Sequence, residues 1–427
     1  SPYCTHLELE CLPTGGWGYE HFPVVSRYIR MLGKPAVLMG GRFHKSWGDF
    51  GGVRPQASLD FDKFRALGSG LALSVGDHMH PRGRLDAAVY GRIGSVYGRA
   101  AALAEWTEGA KAVAEIAVVT RPDFEAPNEI GGAALAGAAR LLEELRHQFD
   151  IIDPMMPFEP YALLILADDV PVGPELAKRL RAYLAAGGRV LSTGFAGLNP
   201  EQSAFALPQW KINVLGPSRF NVAFYTPSRA VARGLPDMPL TIYNPGIDMK
   251  ARGGGKRLAR IVRPYFNRHW DGYHGYFYVP PDAPTNLDAV AECGAVTHIA
   301  FRAFASYHEH ATIEDRTLVG NCIERLLPEP LVRLTGLPSY GRVLLTAKGR
   351  RTMAHVLCYC PEHRGQHRAV VEEPGEARDV TVRLRDEKVR RAYLAPGREP
   401  LEVRREGRYA AVTLDELCGQ QVVVFER

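Results

Sequence analysis

No run of eighteen or more apolar residues occurs in this chain, so nothing in it reads as a membrane-spanning helix. The first residues also lack the basic-then-apolar order of a secretory signal. Cysteine is scarce: seven in 427 residues, odd in number and scattered (Cys4, Cys11, Cys293, Cys322, Cys358, Cys360, Cys418). That scarcity excludes a disulfide-stapled scaffold and predicts reduced thiols in a cytoplasmic protein. Cys358 and Cys360 share a strand face, but no second ligand pair follows, which argues against zinc. Charge of one sign is scarce as well. A formal charge of +5 is small for this length, and the arginines near the C-terminus are scattered, so no nucleic-acid partner is expected. Nucleotide-binding glycine motifs are missing too. "GGAALAG" lacks the G-x-G-x-x-G spacing, and "RGGGKRL" lacks both the upstream Gly and the Ser/Thr after Lys, so neither predicts a phosphate cradle or a cofactor.

What remains is an ordinary globular composition, 46% hydrophobic and 23% charged, long enough for two or three domains. Residues 1–105 read as three strand-then-helix units. "HLELE" precedes "EHFPVVSRYIRML", "KPAVLMG" precedes "PQASLDFDKFRAL", and "GLALSVG" precedes "DAAVYGRIGSVYGRAAAL". Such alternation implies a parallel sheet. Three units cannot close an eight-stranded barrel of about 250 residues. The expectation is therefore the C-terminal part of a (β/α)8 TIM barrel, with a small open sheet as the alternative. Residues 106–327 read as a flavodoxin-like α/β domain, from "VAEIAVVTRP" through "YALLILADD" to "RVLSTG". Residues 328–427 change to short alternating runs punctuated by Gly, Asp and Pro, the pattern of a small antiparallel β-sandwich.

Function is expected in the loops after the first three strands. Alternation puts Glu8 and Glu10 on one strand face and Leu7 and Leu9 on the other. In a barrel the leucines meet the helices, Glu10 stands at the mouth, and Glu8 lies one layer deeper, where it needs a proton or a cationic partner. Two solvated acids on a half-exposed strand are the bland alternative. The next loops bring Trp17, then Arg42, His44, Trp47 and Asp49, then Asp77, His78, His80 and Arg82. Singly, each has a local explanation: Asp77 as a loop cap, the histidines as backbone partners. Together they predict a polar pocket with an aromatic floor, which suits the hydroxyls and C–H face of a carbohydrate. Within "DHMH" only His78 and His80 converge, so no metal is expected. The segment "RPYFNRHWDGYHGYFYVPP", residues 263–281, holds seven aromatics with His269 and His274. It is too aromatic for a solvated loop and is expected to be buried against a subunit, a ligand or its own domain.

The layout of barrel, flavodoxin-like domain and small β domain resembles family 42 glycoside hydrolases, which carry a trimerisation domain. "ECLPTGGWGYEHFP", "GRFHKSWGDFGG", "GDHMHPRGRLD" and "RPYFNRHWD" look like the related group that contains family 151 α-L-fucosidases. The resemblance implies a retaining glycosidase that self-associates as a trimer or hexamer, with the aromatic segment reaching toward a neighbouring subunit's pocket. By strand count the family 42 nucleophile falls at Gly40 and Gly41 and is not carried over. Glu129 in "APNEIGG" lies beyond the barrel and is rejected as an acid/base.

The expectation is thus a glycoside hydrolase acting on terminal α-L-fucosides, its active site incomplete in this chain because earlier barrel units are absent. Glu10 is the first candidate for the catalytic carboxylate, with Asp49 and Asp77 as second choices. Glu8, Trp17, Arg42, His44, Trp47, His80, His269 and His274 are the substrate-binding candidates. A β-galactosidase and a non-catalytic sugar-binding or assembly protein stay open as alternatives.

Overall fold

The computed structural model describes residues 3–121, 132–273, 275–366 and 368–427. The chain forms two compact units, one of Ser1–Ala114, Leu142–Asp150 and Pro330–Arg427, the other of Glu115–Leu141 and Ile151–Glu329. Both are mixed α/β.

In the first unit the expected strands are β1 (Leu7–Glu10), β2 (Ala36–Gly41) and β3 (Ala72–Gly76), parallel and in that order. Each is followed by its helix: α1 (His21–Ile29), α2 (Gln56–Gly68) and α3 (Ala87–Ala102). Asp86 caps α3, its carboxylate accepting from the backbone N–H of Ala88 at 2.9 Å and Val89 at 3.2 Å. Leu9, Cys11, Ala36 and Leu38 turn toward the helices and bury with Phe22 and Ala66. The opposite face carries Glu8, paired in register with Val37, and Glu10, paired with Met39, which in turn pairs with Ser74.

Helix α2 is buried nearly all round. Its "DFDKFR" stretch reads as half solvated, yet eleven of its thirteen residues are buried. The physical reason is a second partner. The C-terminal strands form a four-stranded sheet (Val332–Thr335, Glu376–Arg385, Tyr409–Cys418, Arg404–Glu406) and a six-stranded sheet that includes Arg342–Lys348, Arg351–Leu357 and Gln420–Glu426. Val356, Val423, Val382 and Val412 fill the space between the two sheets. The other face of the larger sheet, through Leu344, Met353, Leu357 and Val424, packs on Phe61 and Phe64 of α2 and on Trp106. Approach is close at Gly68, where a Cβ would lie 2.9 Å from a Leu344 methyl. A sheet buried on both faces loses the polar alternation of a half-exposed one, which is why "QQVVVFE" is almost continuously apolar.

The charges this burial traps on α2 each find a partner, though Asp62 Oδ1 and two Arg65 nitrogens are left without a hydrogen bond. Asp62 pairs with Arg54 at 2.6 Å. Arg65 donates to the Tyr19 carbonyl at 3.1 Å and stacks on the Phe22 and Phe61 rings at 4.3 and 4.7 Å. Lys63 donates to the Ser74 carbonyl at 2.8 Å, and burial pulls its ammonium down from 10.5 to about 8.

In the second unit Ile116–Val119, Leu163–Leu166, Arg189–Thr193 and Val296–Ile299 are parallel neighbours, each linked through the next. The first three are the strands expected from the sequence. The same sheet continues in an unexpected antiparallel extension through Pro281–Cys293, Lys256–Pro264, Ala223–Pro227 and Leu240–Ile242. The aromatic segment joins the two long strands of that extension. Far from being buried within its own unit, it leaves Tyr265, Trp270, Tyr273, Tyr276, Phe277 and Tyr278 between 54% and 88% exposed. Among the described residues, no helix is long and apolar enough to cross a membrane. All seven cysteines are free thiols.

Candidate active site

The ends of β1, β2 and β3 bring most of the predicted residues together. Glu10 is half-buried, and its Oε1 accepts a 2.6 Å hydrogen bond from the Trp47 indole Nε1. Trp47 reaches it by crossing the end of β3, where the ring lies so close that a Cβ on Gly76 would sit 2.6 Å from it. Glycine at 76 is what admits the indole.

The loop that carries Trp47 is held from several sides. His78 Nε2 accepts the Gly48 backbone N–H at 2.6 Å, which leaves a neutral imidazole protonated at Nδ1. The same ring stacks on Phe43 at 4.4 Å and lies 4.8 Å from Phe50 and 5.5 Å from Trp47. His80 is exposed, with Nδ1 accepting from the Arg82 N–H at 3.1 Å and its ring 6.4 Å from Phe50. The two histidines of "DHMH" are therefore engaged with separate backbone groups. Among the described residues, no three His, Cys, Asp or Glu side chains are placed to hold a metal ion.

Arg42 and the two aspartates form the frame of this loop. Arg42 is buried and donates from Nε to Asp77 at 2.6 Å, and from one terminal nitrogen to the carbonyls of Asp49, Phe50 and Gly52 at 2.8, 3.1 and 2.9 Å. Asp77 also accepts the His78 N–H at 2.7 Å. Asp49 accepts from the backbone N–H of Lys45 at 3.0 Å and Gly52 at 2.8 Å, bonds that hold its carboxyl below the ordinary range. Backbone bonds from Arg42 N to Gly76 O and from Arg54 N to Arg42 O close the loop's base. Arg42 Nε and one of its terminal nitrogens, both Asp49 oxygens and Asp77 Oδ1 are thus engaged by the protein.

Trp17, 45% exposed, packs edge-on against His21 at 4.9 Å. Burial lowers the His21 pKa, with the Glu10 backbone pulling the other way. Glu8 and His44 are exposed. His269 sits on the exposed hairpin of the second unit, and His274 and Glu129 fall outside the described residues. Gly40 and Gly41 are closed to larger side chains, since a Cβ would lie 2.8 Å from Lys63 Nζ and 2.2 Å from the Phe43 ring respectively. Sequence reasoning missed the hydrogen bond from Trp47 to Glu10, the stapling role of His78, and the Phe43 and Phe50 rings around it. The spacing of aromatics in "GRFHKSWGDF" is the signal that pointed there.

No protein-family model matches the chain, and no curated protein matches it. Solved structures do. α-L-Fucosidase isoenzyme 2 from Paenibacillus thiaminolyticus matches with a TM-score of 0.93 and 31% identity, over 99% of this chain and 65% of that one. A β-galactosidase from Bacillus circulans sp. alkalophilus matches at 0.67 and 13% identity, over 98% and 60%, and one from Rahnella sp. R3 at 0.66 and 15%, over 99% and 60%. The chain spans under two thirds of the length of each of these, and at 13–15% identity the galactosidases show the fold alone. The chain has a family 42-like, fucosidase-related glycoside hydrolase fold.

Proposed function

We propose that this chain is part of a retaining glycoside hydrolase that removes terminal α-L-fucosyl groups. The observation that carries the reading is 31% identity to an α-L-fucosidase sustained over 99% of the chain. In this reading residues 1–105 are the last βα units of a TIM barrel, 106–327 a flavodoxin-like trimerisation domain, and 328–427 a β-sandwich.

Glu10 is the carboxylate we assign to the chemistry or to direct substrate contact. Its support is local: it stands at a strand end on the face away from the helices, and one oxygen is fixed by Trp47 Nε1. A donor on Oε1 stabilises the anion and aims Oε2, the property that a nucleophile or a base requires. Retention needs two carboxyl groups roughly 5 Å apart, one attacking the anomeric carbon, the other protonating the leaving oxygen and then activating water. Asp49 and Asp77, whose oxygens accept two hydrogen bonds each, fit the role of positioning groups better than that of second carboxylate. Trp17 and Trp47, both nearly half exposed, are assigned as apolar faces for a sugar ring, and the exposed His44 and His80 as partners of its hydroxyls.

The exposed hairpin with His269 is assigned to self-association as a trimer or hexamer, because six large aromatics more than half exposed form a surface that soluble monomers rarely carry. Seven free thiols support a cytoplasmic location. Parallel assays of the full-length protein on nitrophenyl α-L-fucoside and nitrophenyl β-D-galactoside test the specificity. Hydrolysis of the fucoside alone is expected; hydrolysis of the galactoside alone overturns the assignment. Binding of fucose in calorimetry without hydrolysis of either substrate would make the protein a sugar-binding one.

A further inference from the structure

At one end of the β-sandwich several turns converge. Arg350 lies on the turn between Arg342–Lys348 and Arg351–Leu357, Lys388 and Arg390 on the turn before Arg391–Ala395, Arg405 on Arg404–Glu406, and Arg427 just beyond Gln420–Glu426. With Glu387, and with Val389 buried at the floor, they line a hollow of about 510 Å³.

This hollow has a fixed frame. The Arg405 guanidinium donates to the Asp386 carbonyl at 3.2 Å and to the Val389 carbonyl, gripping the turn from the opposite sheet. Arg427 Nε donates to Asp386 Oδ2 at 2.6 Å, the Lys388 backbone N–H to Asp386 Oδ1 at 2.9 Å, and the Arg427 N–H to the Arg350 carbonyl at 3.1 Å. Glu387 is taken by Arg408 at 2.9 Å. Both nearby acids are thus already paired. Among the described residues, the side chains of Arg350, Lys388 and Arg390 have no hydrogen-bond or ion-pair partner.

Three unpaired cations over one concavity focus a positive potential into it. Two of the three are guanidinium forks, which match a tetrahedral oxyanion through paired N–H donors, while the ammonium adds a point charge. We propose that this end of the sandwich is a binding site for a tetrahedral oxyanion, either a sulfate ester carried on a saccharide or a phosphate. Every residue lining the hollow belongs to the sandwich, so its occupancy does not depend on the proposed catalytic role.

The test titrates inorganic sulfate, inorganic phosphate and a sulfated monosaccharide into the full-length protein by calorimetry at low ionic strength. The titrations are repeated with the variant combining Arg350→Ala, Lys388→Ala and Arg390→Ala. All three side chains are exposed, so the thermal midpoint should be retained; the single variant Arg390→Glu serves if it is not. Saturable binding is expected, weakened by at least about tenfold in the variant, as loss of charge-assisted forks implies. Tighter binding of the sulfated sugar than of inorganic ions supports the proposal with a saccharide as the source; preference for inorganic phosphate supports it with free phosphate. Absence of saturable binding with all three probes, or binding undiminished in the variants, overturns it.

Discussion

The loop from Arg42 to Arg54 and the hairpin between Pro264 and Pro281 are both rich in aromatic residues, and they are built on opposite principles. In the first, polar groups close on one another. One buried guanidinium reaches Asp77 and three carbonyls, His78 staples Gly48, and the rings of Phe43, Phe50 and Trp47 surround His78. In the second, Tyr273 and Tyr278 are 88% and 80% exposed, and the rings meet edge-on, Phe277 with Tyr278 and Phe266 with Tyr276, while Arg268 lies over Phe277. The difference separates two uses of aromatic residues. A loop that must hold a carboxylate in one orientation is organised before any ligand arrives. Rings left open in this way are what the proposed self-association would cover.

Four perturbations probe this contrast. Arg42→Met strips Asp77 of its cation in a pair only 3% and 7% exposed, so chemical denaturation should show a loss of about 3–5 kcal/mol. Activity should fall with it, and a variant of native stability would mean that the loop does not depend on this frame. Trp47→Phe keeps the ring and removes the donor to Glu10. We expect kcat/KM on nitrophenyl α-L-fucoside to drop about tenfold, the worth of one hydrogen bond to a charged group, with the thermal midpoint little changed. An unchanged pH profile as well as an unchanged rate would remove Trp47 from the account.

The third perturbation concerns the scaffold beneath the loop. His355 is buried against Thr346 Oγ1 at 3.0 Å, and burial pulls its pKa down from 6.5 to about 4. The unfolded chain therefore binds the proton more readily than the folded one. The stabilising contribution is complete above pH 6.5 and is lost as pH falls from there to about 4, at no more than roughly 1.4 kcal/mol per pH unit. His355→Gln should flatten the stability curve in that window, and identical curves for the two proteins would refute the neutral buried imidazole. Last, replacing Trp270, Tyr276 and Tyr278 together by Ala should leave the stability of the subunit within about 0.5 kcal/mol, because these rings are exposed. Sedimentation velocity should nonetheless show a smaller species. If the native protein is already monomeric, the hairpin has some other partner.

How much of this was legible follows from what each residue's neighbours are. The strands β1 to β3 and the face that carries Glu10 were readable because alternation and strand–helix spacing are local properties. The burial of α2 was not: "DFDKFR" is polar in sequence, and only the arrival of Leu344 and Val424 from some 280 to 360 positions later makes it core. The antiparallel strands between residues 212 and 293 were hidden for a similar reason, since Gly, Pro and Arg interrupt their pattern while pairing to the main sheet supplies the order. At the site, Arg42, Asp49 and Asp77 stand at the ends of strands, and each makes hydrogen bonds within the loops that follow them. A sequence shows that a charged group is present at a strand end; whether it faces ligand or backbone depends on the turn it must stabilise.

The proposed role of Glu10 as a working carboxylate of a retaining glycosidase is tested by Glu10→Gln in the full-length protein with an activated aryl α-L-fucoside, with and without azide. The account predicts a rate lowered by about 10²- to 10⁴-fold with folding retained, and partial rescue by azide as a glycosyl azide, inverted if Glu10 is the nucleophile and retained if it is the acid/base. A Gln variant that turns over at close to the native rate contradicts it.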